Sequence, residues 1–196
     1  PKPQQPKPQQ PPNPASDPSG KAEIVGNAAA WKTAIEWLQK RATDTSPKVL
    51  ILKGPSGVGK TSGAHLLAAH CGRALNEINA SDATGESELR HNILEGCCRA
   101  AITPDGCCNN EQASLSLIDD LEAFTPEGLK VVGNVVLNIA GVTGVIVTCG
   151  PGFRIPPSWP KVKYQLLKLQ ALSIQELVHI ARCDPYFAAW NPLKLS

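Results

Sequence analysis

Apolar residues recur along this chain in two alternating rhythms. "AAAWKTAIEWLQKRA" places Trp31, Ile35 and Leu38 on one stripe at helical spacing. "KVLILKG" is instead a short continuous apolar run, the pattern of a strand covered on both faces. A helical stretch follows from Lys60 through His70, then a second strand in "ALNEIN" and a second helix in "SELRHNILEGCCRAAI". "ASLSLIDDLEAF" predicts a third strand ending at Asp119, and "PEGLKVVGNVVLNIAG" a helix with Pro126 suited to its first turn. "TGVIVTCG" and "VKYQLLKL" predict the fourth and fifth strands. In "SIQELVHIARC", Ser173 and Glu176 stand at capping-box spacing and mark a fresh helix start. Strands alternating with helices predict an α/β fold, a three-layer αβα sandwich around a central parallel five-stranded sheet. Such a sheet binds its ligands at the carboxyl ends of its strands.

The first twenty residues break this rhythm. "PKPQQPKPQQPPNPASDPSG" repeats "PKPQQ" in tandem and has nothing to bury, so a disordered or polyproline II tail is expected over residues 1–20. A linker is favoured there over a docking peptide for a proline-reading domain. Residues 21–172 form the expected α/β domain, and residues 173–196 the start of a further, incomplete helical segment. The chain begins without methionine and contains none, as expected of a trimmed fragment.

Composition narrows the function classes modestly. The 196 residues carry a net charge of +2, too weak a bias to argue for nucleic acid. No apolar run approaches the roughly 18–20 residues needed to cross a bilayer, and no leader pattern opens the chain, so no membrane association is expected. Seven cysteines, an odd count, do not read as a secreted disulfide framework, and reduced thiols are expected. The vicinal pairs Cys97-Cys98 and Cys107-Cys108 raise zinc as an alternative. Adjacent thiols chelate one ion poorly and the usual two-residue gap is absent, which disfavours it. His65 and His70 lack metal-ligand spacing and are expected to pack or face solvent.

One motif carries sharper chemistry. Gly54-Pro55-Ser56-Gly57-Val58-Gly59-Lys60-Thr61 matches a phosphate-binding loop at every fixed position, between a predicted strand and a predicted helix. Its glycines let the backbone wrap until N–H groups point at phosphate oxygens, and the helix start adds partial positive charge. Lys60 would neutralise the β- and γ-phosphates of ATP, and the Thr61 hydroxyl would ligate Mg²⁺. The partner feature is an acid at the end of a neighbouring apolar strand. Asp119 is the candidate Mg²⁺ carboxylate, and Asp120 stands where a base for the attacking water would act. The alternative is that both aspartates simply cap the helix that follows.

Together, "GPSGVGKTSGAHLLAAHCG", "EINASD", "LIDDLEAF" and the upstream "IVGN" with "WKTAIEWLQKR" resemble the large subunit of a replication factor C-type clamp loader, within the AAA+ ATPases. The likeness runs from about Ala22 to Cys183. "NASD" is the more specific mark; the loop alone indicates only a nucleotide. The resemblance implies that Ile24 and Val25, with Gly26, lie beside the adenine. It implies ATP and Mg²⁺ as ligands and small clamp-loader subunits as partners in a hetero-oligomeric ring. A sliding clamp and primed DNA would be met through that assembly. The location would be nuclear in a eukaryote, and otherwise intracellular at replication sites. A neighbouring subunit's arginine would complete each site, an effect worth about 10³–10⁵ in rate in well-studied nucleotidases.

The sequence also departs from that pattern. The acidic strand ends Asp119-Asp120 where the family has Asp-Glu. One methylene less would misplace a water by roughly 1 Å, a cost of about a hundredfold. Gly150 stands at the place of the family's sensor asparagine. Only "DPYFAAWNPLKLS" follows the lid's first helix, so a second sensor arginine and a collar are not expected, and Arg182 lies too early for that role. The reading favours ATP binding over brisk hydrolysis. Its alternative is a degenerate AAA+ scaffold, and a small-molecule kinase is disfavoured for want of an arginine-rich lid. Phe124, Leu129 and Val132 are candidate anchors for a clamp, with core packing an equal account of the valines. Arg90 and His91 are candidates for DNA backbone contacts, with a solvated helix face preferred.

Overall fold

The computed structural model describes residues 25–40, 48–80, 87–91, 115–139, 144–157, 159 and 163–183. Residues Gly26–Leu172 form one compact unit; Val25 and the helix from Ser173 onward belong to another. In the larger unit the order is α1 (Ala28–Lys40), β1 (Val49–Lys53), α2 (Lys60–His70), β2 (Leu75–Ile78), β3 (Leu115–Ile118), α3 (Pro126–Ile139), β4 (Gly144–Cys149) and β5 (Tyr164–Lys168). A one-turn 3₁₀ helix, Leu121–Ala123, joins β3 to α3. Residues 87–91 are helical as expected; the rest of that predicted helix, with both cysteine pairs, lies outside the described residues.

All strand pairs are parallel, and the sheet order is β2-β3-β4-β1-β5. The first strand therefore lies inside the sheet, with Val49 beside Val145 on one neighbour and Tyr164 on the other. Its continuous apolar run is explained by that place: Val49 to Leu52 are fully buried. Val49 and Ile51, with Val145 and Val147 of β4, join a cluster closed by Val132, Val135 and Val136 of α3 and by Trp159. Helices α1 and α2 pack on each other, and the sheet meets them through β5 and β4 respectively. The strands thus carry helices on their faces, as the alternating pattern predicted.

The stripe on α1 differs from expectation in one position. Trp31, Ala34, Trp37 and Leu38 are buried, whereas Ile35 is only half-buried. Trp31 accounts for the shift, because its ring is seated on Gly63 of α2. A Cβ at Gly63 would overlap the Trp31 ring atoms. Before α1, Asn27 has a positive φ of 50°, and its side chain pairs with both polar groups of the Gln170 backbone, at 3.0 and 2.8 Å. The start of α1 is thereby tied to the end of β5.

The second unit contributes α4 (Ile174–Cys183). The capping box forms at its start: the Ser173 N–H and hydroxyl donate to Glu176 at 2.7 and 2.8 Å, and the Glu176 N–H donates back to Ser173 Oγ. Those donors hold the Glu176 carboxyl below its ordinary range.

Helix propensity alone makes Gly63→Ala favourable by about 1 kcal/mol. The buried Trp31 ring reverses that sign, and overpacking is expected to lower stability by about 1–3 kcal/mol, read from urea unfolding. Gly63→Ala combined with Trp31→Phe is expected to recover part of the loss.

Candidate nucleotide site

The carboxyl ends of β1, β3 and β4 open into one cleft of about 590 Å³. Lys60 and Thr61 line it from the loop side, and Asp119, Thr148 and Gly150 line it from the strand ends. This is where a parallel sheet leaves room, because β1 connects onward to a helix between two strands that are distant in sequence.

The loop owes its shape to its glycines. Gly57 and Gly59 have φ of 77° and 84°, conformations that ordinary residues rarely adopt, and a Cβ at either would meet nothing within 4 Å. The loop leaves β1 under tight constraint: the Gly54 N–H donates to the Cys149 carbonyl at 3.1 Å. A side chain at Gly54 would come within 2.6 Å of the Leu169 carbonyl oxygen. Helix α2 then starts at Lys60, whose ammonium donates to the Gly54 and Pro55 carbonyls at 3.0 and 2.8 Å. Pro55 and Ser56 lie on the loop surface or half-buried, and Val58 is buried beneath it.

Asp119 joins three elements. The Thr61 hydroxyl of α2 donates to its carboxylate, 2.9 Å from each oxygen. The Thr148 hydroxyl of β4 donates to Oδ1 at 2.5 Å. Thr148 also accepts the Asp120 N–H at 2.9 Å, so one buried hydroxyl serves two consecutive residues. Asp120 takes a positive φ of 54° and precedes the 3₁₀ helix without any side-chain cap bond, which argues against a capping role. Removal from water pushes the Asp120 carboxyl above its usual range, and Glu122 and Asp119 push the same way against Lys60.

Cys149 at the end of β4 is fully buried, and burial pushes its thiol up to about 11, with Glu122 adding to the effect. It is a neutral, inert thiol at physiological pH. Glu122 itself lines the cleft, and its Oε1 stands where a Cβ at Gly150 would be. Neither Glu122 nor Thr148 was marked by sequence reasoning. A threonine inside an otherwise apolar strand, "VIVTCG", was the available signal for the second.

Other expectations fare differently. Ile24 lies outside the described residues, and Val25 belongs to the other unit. Phe124 and Val132 are buried in the core beneath α3 with Leu129 packed against it, so they are not exposed anchors for a clamp. The helix needs that face to cover the sheet. Asn79 of "NASD" donates to Glu77 at 3.2 Å and Ala80 packs against the core, while Ser81 and Asp82 are outside the described residues. His65 pairs with Glu77 at 2.7 Å, linking α2 to β2, and His70 is exposed. Arg90 and His91 are exposed on their helix. Among the described residues no group of three His, Cys, Asp or Glu side chains could hold a metal ion. None of their helices is long and apolar enough to cross a membrane.

Residues 50–139 match the model of the ATPase family associated with various cellular activities (AAA). The replication factor C large subunit of Methanococcoides burtonii is 44% identical over 66 residues, 33% of this chain and 13% of that protein. That of Methanocella arvoryzae is 35% identical over 118 residues, 60% of this chain and 21% of that protein. The chain therefore spans about a fifth or less of the length of these relatives. The Thermotoga maritima RuvB Holliday junction branch migration motor superposes with a TM-score of 0.55 over 81% of this chain and 50% of that one, at 15% identity. That likeness bears on the fold alone. With a parallel sheet of this order and a phosphate loop after β1, the chain has the P-loop αβα fold of AAA+ proteins, and over part of its length it is similar to replication factor C large subunits.

Proposed function

We propose that the chain is an ATP- and Mg²⁺-binding subunit of a clamp loader, acting with small clamp-loader subunits to place a sliding clamp on primed DNA. The observation that carries the nucleotide part is the convergence of Lys60, Thr61 and Asp119 on one cleft. The residues fit the ligands. The Thr61 hydroxyl and Asp119 carboxylate are hard oxygen donors suited to Mg²⁺. Gly57 and Gly59 leave the loop's inner side clear of side chains for phosphate oxygens. Thr61 and Asp119 would hold Mg²⁺, which would supply positive charge against the phosphates. Lys60, now spent on two loop carbonyls, would turn to the phosphates, and the start of α2 would add its partial positive charge.

The replication factor C likeness supports the clamp-loader part, and the ring partners and a nuclear location in a eukaryote belong to the same reading. A trans arginine from a neighbouring subunit belongs to the same reading. The degenerate scaffold is the second reading, favoured by the short Asp120 and the bare Gly150. A full chain without any ATP-dependent thermal shift at millimolar ATP and Mg²⁺ would leave the scaffold standing alone.

Under the first reading, Lys60→Ala is expected to abolish that thermal shift and the co-dependent clamp loading, while the melting temperature without nucleotide stays close to wild type. Thr148→Val tests the support beneath the site. It removes the hydroxyl that bonds both Asp119 and the Asp120 amide, and should cost about 1–3 kcal/mol in unfolding free energy. Nucleotide affinity should fall with it in a fluorescence titration; unchanged stability and affinity would contradict the bridging role.

A further inference from the structure

The cleft holds three carboxylates, and the side chains of two of them, Asp120 and Glu122, are hydrogen-bonded to each other. Asp119 is engaged by Thr61 and Thr148. Asp120 is held at its backbone, with positive φ and its N–H on Thr148, and its side chain is short. Glu122 is different. It leaves the 3₁₀ helix and reaches to the end of β4, where Oε1 occupies the space that any side chain at Gly150 would need. It faces the same cleft as Lys60 and Thr61, across from the anion-binding loop. A carboxylate cannot ligate phosphate oxygens, so in a phosphate cleft its partners are cations and hydrogen-bond donors, and Lys60 is already engaged by the loop carbonyls.

We propose that Glu122 is the water-positioning carboxylate of this site, seated there because residue 150 has no side chain. The proposal rests on the ATP-binding reading above. The extra methylene gives Glu122 the reach that Asp120 lacks, and the bare Gly150 gives it the room. Its carboxylate accepts a hydrogen bond from the attacking water and holds it in line with the γ-phosphorus. Misplacement of such a water by roughly 1 Å costs about a hundredfold in rate. The residue acts by orientation, so its loss separates turnover from nucleotide affinity.

The test uses the full chain with Mg²⁺ as wild type, Glu122→Gln, Glu122→Asp and Gly150→Ala. Three quantities are read: the Kd for a fluorescent ATP analogue, single-turnover hydrolysis, and retention of fluorescent ADP by aluminium fluoride, which mimics the in-line state. Glu122→Gln should keep the ATP Kd within about threefold and cut kcat about a hundredfold, with retention of ADP–aluminium fluoride falling in parallel. Glu122→Asp should recover only part of both. Gly150→Ala, whose new methyl enters the Glu122 place, should reproduce the loss with unchanged ATP affinity. Wild-type turnover and retention in Glu122→Gln would overturn the proposal, as would a wild type that binds ATP yet never retains ADP–aluminium fluoride. A wild type that binds no nucleotide would overturn the ATP-binding reading and this proposal with it.

Discussion

Thr61, Asp119 and Thr148 come from a helix start, a strand end and a neighbouring strand, and a single carboxylate binds them together. Two hydroxyl donors meet Asp119 at the point where the sheet opens. The geometry of the cleft follows from that junction. If Asp119 were displaced, the first turn of α2 would lose its link to β3, and the Asp120 backbone would keep only its bond to Thr148. Hydrogen bonds to a charged acceptor contribute about 1.5–3 kcal/mol each, more than ordinary neutral ones. That strength suits a site whose parts must be held in register before any ligand arrives.

The junction depends in turn on strand order. Because β1 lies between β4 and β5, the loop that follows it emerges beside the end of β4, and the Gly54 N–H reaches the Cys149 carbonyl. Because β3 pairs with β4, Asp119 emerges one strand further along, within reach of both threonines. The apolar faces of β1 and β4, packed against α3, hold these ends at fixed spacing. Function here is a property of loop ends held by a rigid sheet, which is the ordinary arrangement in parallel α/β folds.

Most of the fold was legible along the chain because its strands are continuous apolar runs and its helices are periodic. The loop, β1 and α2 follow almost residue for residue from "KVLILKGPSGVGKT". What was not legible is non-local. The burial of Trp37 in place of Ile35 reflects the seat of Trp31 on Gly63, which no periodicity within α1 encodes. The apolar run of Phe124, Leu129 and Val132 is equally consistent with a docking face or a core face. Only the packing of α3 on the sheet decides for the core. Gly150 read in isolation is a missing side chain, yet in three dimensions its absence admits Glu122, a residue 28 positions earlier.

In the proposed function, Thr61 and Asp119 hold Mg²⁺ against a nucleotide on the loop. Isothermal titration of the full chain with ATP, first in Mg²⁺ and then in EDTA, tests it most directly. Saturable binding is expected in Mg²⁺ that weakens sharply when the cation is removed, with the cation dependence lost in Asp119→Asn. Binding of equal strength with and without Mg²⁺, or no saturable binding at all, would contradict it.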